Sequence, residues 1–336
     1  MARKKRLITA EDLYRLQSVA DPQMSLDGKR VMFVMQRVDE ATERKFTNLW
    51  LVSTANGRSR QFTYGDQADH SPRWSPDGKQ VAFLSYRVNP KQFQIYLIPI
   101  DGGEARPLTT LSGSIGGFSW SPNGKQLLVS FAEKDAEAKA READEQKQKL
   151  GVVARHITRP AYKMNAVGFL PNARRHIWRV DASSCLAKAL TEWDEFNEVG
   201  ATWSPDGTQV AYFSNRTERA EWDLFDVHGV DLYIMDVASG ASRKIETPVS
   251  TKSTPAFSPD GRWIAYYARK GLGDWWQNNY LWLVPADGSG EARDLTAVYD
   301  IQISIDTMND TGSGVQMAPT WAADSQRIFF QASQHG

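Results

Sequence analysis

One phrase recurs along this chain and limits what it can fold into. Trp74-Ser-Pro-Asp-Gly-Lys returns as Trp120-Ser-Pro-Asn-Gly-Lys, Trp203-Ser-Pro-Asp-Gly-Thr and Phe257-Ser-Pro-Asp-Gly-Arg. A worn copy stands at Met24-Ser-Leu-Asp-Gly-Lys and another at Trp321-Ala-Ala-Asp-Ser-Gln. The lead positions 24, 74, 120, 203, 257 and 321 are separated by 50, 46, 83, 54 and 64 residues. Self-similarity at this period is the mark of a repeat architecture.

Each phrase reads as a tight hairpin. Proline presets φ at the first corner, Asp bonds the backbone, and Gly takes the left-handed position. An alternating strand follows each turn: Val81-Ala-Phe83, Leu127-Leu-Val129, Val210-Ala-Tyr212, Ile264-Ala-Tyr266 and Ile328-Phe-Phe330. A third strand comes next, at Leu49–Val52, Ile95–Ile98, His176–Val180, Leu232–Met235 and Leu281–Val284. A fourth ends on Phe62-Thr63, Leu108-Thr109, Leu190-Thr191, Ile245-Glu246 or Leu295-Thr296. Four short antiparallel strands in phase predict an all-β chain, a β-propeller of four-stranded blades. Unrelated hairpins in a sandwich would not keep the third and fourth strands in step.

The spacing predicts five complete blades, at about 21–63, 70–109, 117–191, 200–246 and 255–296, and a partial sixth over 318–336. Residues 1–20 form a helical lead-in, which Thr9 and Asp12 open as a capping box. An insertion over 133–175 interrupts the third blade between its second and third strands. Its first part, 133–150, is built of helix formers with i, i+4 pairs such as Glu137/Arg141 and Glu145/Lys149. It has almost no apolar stripe, so it reads as a solvated helix, with partner binding as the alternative.

Forty basic and forty acidic residues cancel, which leaves no field for nucleic acid or an anionic membrane. No apolar run has membrane-spanning length. The basic start, Met1-Ala-Arg-Lys-Lys-Arg, is followed by no apolar core of a signal peptide. With Cys185 as the lone cysteine, a cytoplasmic location is expected. No metal or other cofactor is expected: the five His residues are scattered without ligand spacing, and no phosphate-cradling Gly loop occurs. Ser112-Gly-Ser114-Ile-Gly116-Gly117 lacks the first Gly of a nucleophile elbow and leads into a strand, so it reads as a linker.

Binding candidates lie in loops on the end of each blade opposite the Ser-Pro-Asp-Gly turns. There the insertion joins the inter-blade loops 64–73, 110–118, 192–201, 247–255 and 297–319. Arg155, Arg159 and Tyr162 in the insertion mix cations with an aromatic ring, either to bind substrate or simply as a structural insertion. Glu195 and Glu198, in the acidic stretch 192–198, could hold a cationic group such as a peptide amine, or be solvated. Trp275 and Trp276 offer apolar area for another domain.

With these residues in view, the chain resembles the N-terminal propeller of the prolyl oligopeptidase family of serine peptidases. The likeness is greatest to its bacterial acylaminoacyl-peptidase and dipeptidyl-aminopeptidase-like members. It rests on the opening Ile8-Thr-Ala-Glu-Asp-Leu13, on Val19-Ala-Asp-Pro22 and Ser25-Leu-Asp-Gly-Lys29, and on Ile157-Thr-Arg-Pro-Ala-Tyr-Lys163 and Arg175-His-Ile-Trp178. Ser-Pro-Asp-Gly repeats alone are shared with TolB-like propellers. The resemblance implies a parent enzyme with a seven-bladed propeller and an α/β-hydrolase domain carrying Ser, Asp and His. The hydrolase domain is the partner expected in the same parent chain, with short peptides as substrate. The chain alone, without the triad, is expected to be non-catalytic and to gate substrate. In one branch an adjacent Glu pair holds the substrate amine; Glu195 and Glu198 occupy a comparable place without being adjacent. A stand-alone TolB-like propeller that binds other proteins is the alternative. A broken blade also predicts self-association through its open edge.

Overall fold

In the computed structural model the described residues are 6–89, 92–152, 154–157, 162–164, 168–193, 195–216, 229–271, 276–304, 308–309, 312–313 and 316–333. They form an all-β chain with the fold of a β-propeller. Five four-stranded antiparallel sheets follow one another in chain order. The first consists of Ser18–Met24, Arg30–Asp39, Arg44–Ser53 and Ser59–Gln61. The second is Asp69–Trp74, Gln80–Ser85, Gln94–Pro99 and Arg106–Pro107, and the third Gly113–Trp120, Gln126–Glu133, Arg175–Asp181 and Ala187–Ala189. The fourth is Glu198–Trp203, Gln209–Ser214, Asp231–Asp236 and Ser242–Ile245, and the fifth Lys252–Phe257, Trp263–Ala268, Tyr280–Pro285 and Arg293–Asp294. Two compact units divide these sheets. Residues up to Thr110 carry the first two sheets, and Leu111–Asn309 carries the other three.

The recurring phrase builds the same turn five times. Gly28, Gly78, Gly124, Gly207 and Gly261 all sit at φ between 67° and 73°. The serine does more than its propensity implies. Ser75 is buried; its Oγ donates to Asp77 Oδ1 at 2.6 Å and accepts from the Gln80 N–H at 3.1 Å. Asp77 Oδ1 also accepts from the Lys79 N–H at 3.1 Å. Ser25, Ser121, Ser204 and Ser258 repeat the arrangement. In the sixth copy Ala322 has no hydroxyl, and Ser325 takes the glycine position at φ 58°.

A second device closes the outer edge of the sheets. Thr63, Thr109, Thr191 and Thr296 are buried, and each Oγ1 accepts an N–H from the third strand of its sheet: Leu49, Ile95, Ile177 and Leu281, at 2.9–3.0 Å. Cores form between consecutive sheets of each unit. In the first unit Leu49, Leu51 and Phe62 meet Phe83, Tyr96 and Ile98. In the second, Leu232, Ile234 and Ile245 meet Ile264, Tyr266 and Val284.

Three boundaries differ from those the sequence predicts. The first strand starts at Ser18, inside the expected lead-in, because a register slip between Ala20 and Gln23 lets it continue past Asp21 at φ 47°. The helical part of the insertion is two short helices, Ala136–Glu142 and Glu145–Leu150, because Asp144 caps the second through the Gln146 and Lys147 N–H groups. The sixth unit begins before 318: Gln302–Ile303 pairs with Ala332–Ser333, and Thr320–Trp321 pairs with Ile328–Phe329. Ser304, at φ 80°, holds the place of the bulge residues Asp21, Ser71, Gly200 and Thr254. The inner strand of this unit is therefore split at its bulge, which accounts for the long last step between phrases.

Candidate functional site

The insertion leaves the third sheet at Glu133 and returns at Arg175. Asp135 caps the first helix, accepting from the Ala138 N–H at 2.7 Å. Beyond the helices, Lys163–Met164 pairs antiparallel with Gly168–Phe169. Between helix and ladder lies a pocket of about 430 Å³ lined by Asp135, Arg141, Arg155, His156, Tyr162 and Phe169, among others. The Arg155 guanidinium stands 4.2 Å from the Phe169 ring centroid, and Lys163 Nζ 5.6 Å from it. The Tyr162 and Phe169 rings are 6.2 Å apart and tilted by 35°. Both are half-exposed, at 42% and 44%. Cations thus lie over the Phe169 ring beside a pocket that Asp135 and Glu137 also line.

The structure thus brings Arg155 and Tyr162 together; Arg159 lies outside the described residues. Glu195 is exposed, beside a T-shaped Trp193–Phe196 pair. Glu198 is fully buried at the start of the inner strand of the fourth sheet. Its Oε2 lies 2.7 Å from His176 Nδ1 and accepts from Thr191 Oγ1 at 3.1 Å, while Oε1 accepts from Ser214 Oγ at 3.4 Å. Of the two glutamates, Glu195 is therefore the one open to solvent, and Glu198 is committed to partners inside the fold. Trp276 is 81% exposed, and Trp275 lies outside the described residues.

Sequence reasoning named Glu198 as a binding candidate but missed Asp69, and missed that the charges at the inner-strand starts are buried and paired. Asp69 pairs with Arg87 at 2.7 Å, and Arg87 Nε also donates to Ser85 Oγ. Glu198, Ser214 and Arg216 repeat the trio, with Arg216 Nε 4.0 Å from the carboxylate and 3.3 Å from the hydroxyl. The readable signal was Ser-x-Arg after two second strands, Ser85-Tyr-Arg87 and Ser214-Asn-Arg216. In the fifth sheet Lys252 takes the acid's place; its Nζ donates to the Val230 carbonyl at 2.7 Å, and burial pushes its pKa down to about 8. Arg175 donates to the Ser114 and Ser130 carbonyls at 3.3 and 3.1 Å, and burial lowers its pKa.

Catalytic geometry is not assembled among the described residues near these groups. His70 Nδ1 lies 2.9 Å from Ser71 Oγ, but the neighbouring Asp69 carboxylate is turned to Arg87. No group of three or more His, Cys, Asp or Glu among the described residues could hold a metal ion, and no described helix is long and apolar enough to cross a membrane.

Residues 14–166 match the model of the TolB beta propeller domain. The chain carries a TolB-type β-propeller of the kind found in peptidase-family proteins. It is 33% identical over 232 residues to the uncharacterized peptidase YuxL of Bacillus subtilis, covering 69% of this chain and 34% of that protein. It is 26% identical over 341 residues to dipeptidyl-peptidase 5 of Porphyromonas gingivalis, covering 97% of this chain and 46% of the relative. The acylaminoacyl peptidase of Pyrococcus horikoshii shares the fold with a TM-score of 0.62 at 14% identity, over 88% of this chain and 42% of that one. The chain spans less than half the length of the curated relatives it matches.

Proposed function

We propose that this chain is the non-catalytic, substrate-gating propeller of a cytoplasmic serine peptidase that acts on short peptides. The observation that carries this reading is the match to peptidases along 69% and 97% of this chain, which accounts for less than half of their length. The remainder of such a protein would supply the α/β-hydrolase domain with Ser, Asp and His, and Trp276 would face it. The propeller admits and orients the peptide. Arg155 and Tyr162, with Arg159, meet the polar and apolar parts of the substrate, and Glu195 faces its amine. Glu198 contributes through His176 by holding the start of the inner strand.

A fluorophosphonate probe tests the division of labour. The purified chain is expected to remain unlabelled and to leave peptidyl p-nitroanilides intact. Labelling of a serine together with inhibitor-sensitive hydrolysis would overturn the reading. The TolB domain match also supports a protein-binding scaffold. That reading predicts stable complexes with folded proteins and no affinity for short peptides.

A further inference from the structure

The insertion pocket holds positive charge that the fold leaves unspent. The cations of the first helix are paired, Lys139 with Glu133 and Arg141 with Glu137. Arg155 and Lys163 enter no salt bridge among the described residues. Both converge instead on the ring of Phe169, at 4.2 and 5.6 Å from its centroid. Local pairing builds this convergence. Lys163 stands across from Phe169 in the two-stranded ladder, and beside it the Leu170 N–H donates to the Tyr162 carbonyl at 2.8 Å. Residues directly opposite in a ladder present their side chains on one face. The ladder therefore brings Lys163 to Phe169, and Arg155 reaches the same ring from the chain that precedes it.

The rest of the pocket limits what can satisfy these charges. Val152, Ile157, Tyr162 and Phe169 give it apolar lining and are 40–48% exposed. Asp135 and Glu137 also line it, the second already paired with Arg141. A phosphate group would bring about −1.5 to −2 of charge against those carboxylates. A carboxylate brings one negative charge, and a guanidinium can take both of its oxygens in a planar fork. A volume of about 430 Å³ lies toward the small end of the range for organic ligands, with room for about one or two amino-acid residues.

We propose that this pocket reads the free carboxyl end of a peptide whose last residue is aromatic or aliphatic, an assignment that rests on the reading of the chain as a gate for short peptides. The terminal carboxylate pairs with Arg155, and Lys163 adds its charge beside it. The terminal side chain packs on Phe169 and Tyr162. Capture of a chain end by its carboxylate is a recurring mode of peptide recognition. An internal peptide bond offers no such anion, so the pocket takes peptide ends and passes over the unbroken middle of a folded protein. A small aromatic carboxylic acid shares the chemistry of such an end, and the test separates the two.

Isothermal titration compares three probes: tetraalanyl-phenylalanine as the free acid, the same peptide as its C-terminal amide, and N-acetylphenylalanine. The free acid is expected to bind at least about tenfold more tightly than the amide, and in Arg155→Gln the two are expected to bind within about twofold of each other. Acid and amide are compared within one protein, so a change in the folded fraction of the variant cancels from the ratio. Equal binding of acid and amide by the parent chain would overturn the proposal and leave the gating reading standing. Binding of neither peptide would overturn both. An undiminished preference for the acid in Arg155→Gln would also overturn the proposal, as would N-acetylphenylalanine binding as tightly as the pentapeptide, because the pocket would then belong to small carboxylic acids.

Discussion

At the residue scale, the serine of the recurring phrase ties its turn together, and the acid two positions later completes it. The Ser258 hydroxyl, the Arg262 N–H and the Arg262 guanidinium hold the Asp260 carboxyl down to about 2. Asp27, Asp77 and Asp206 are lowered for the same reason, serine hydroxyl first. A carboxyl depressed on folding stabilises the protein above its ordinary pKa, and that contribution is lost as pH falls through the folded value. The third copy shows how to remove the charge: Asn123 makes the same bonds, to Ser121 Oγ at 2.8 Å and the Lys125 N–H at 3.0 Å. The quadruple variant Asp27→Asn, Asp77→Asn, Asp206→Asn, Asp260→Asn is expected to fold and to lose less stability between about pH 4 and pH 2 than the parent, read by denaturant titration at each pH. Lys252 works in the opposite window. Its folded pKa, about 8, lies below its ordinary 10.5, so the unfolded chain binds more protons and stability rises with pH between them. Lys252→Met is expected to flatten that rise in the same titration.

At the element scale, the lead tryptophan reaches the neighbouring sheet. Trp74 Nε1 donates to the Gln23 carbonyl at 2.9 Å, and Trp321 Nε1 to the Ala256 carbonyl at 3.1 Å, one residue before the preceding phrase in each case. Trp74→Phe keeps most of the packing but loses this bond, and is expected to cost about 1 kcal/mol in chemical denaturation; the chain itself uses phenylalanine at Phe257. The hairpins, third strands and left-handed glycines were legible in the sequence because each depends on residues adjacent along the chain. The acid–Ser–Arg trios were not, because Asp69 and Arg87, or Glu198 and Arg216, are brought together only by strand pairing. The split inner strand of the sixth unit escaped for a related reason. Its upper half, Gln302–Ile303, carries no part of the phrase and declares itself only by pairing with Ala332–Ser333. In the candidate site, the mixture of cations and aromatics in the insertion was readable. The face of Phe169 as the platform for Arg155 and Lys163 was not, since that depends on how the 163–169 ladder folds back.

At the scale of the whole molecule, two kinds of surface separate. The Ser-Pro-Asp-Gly turns are filled with internal hydrogen bonds and serve the scaffold. The insertion pocket holds half-exposed aromatic groups, Tyr162 and Phe169. The central claim is that the pocket receives short peptides. Isothermal titration of the chain with a pentapeptide bearing free termini tests it most directly, alongside Arg155→Ala and Phe169→Ala variants whose folding is confirmed by their melting temperatures. The account predicts saturable binding that weakens about tenfold in each variant, the equivalent of about 1.4 kcal/mol. Binding of equal strength in all three proteins, or no binding of the peptide by the parent chain, would contradict it.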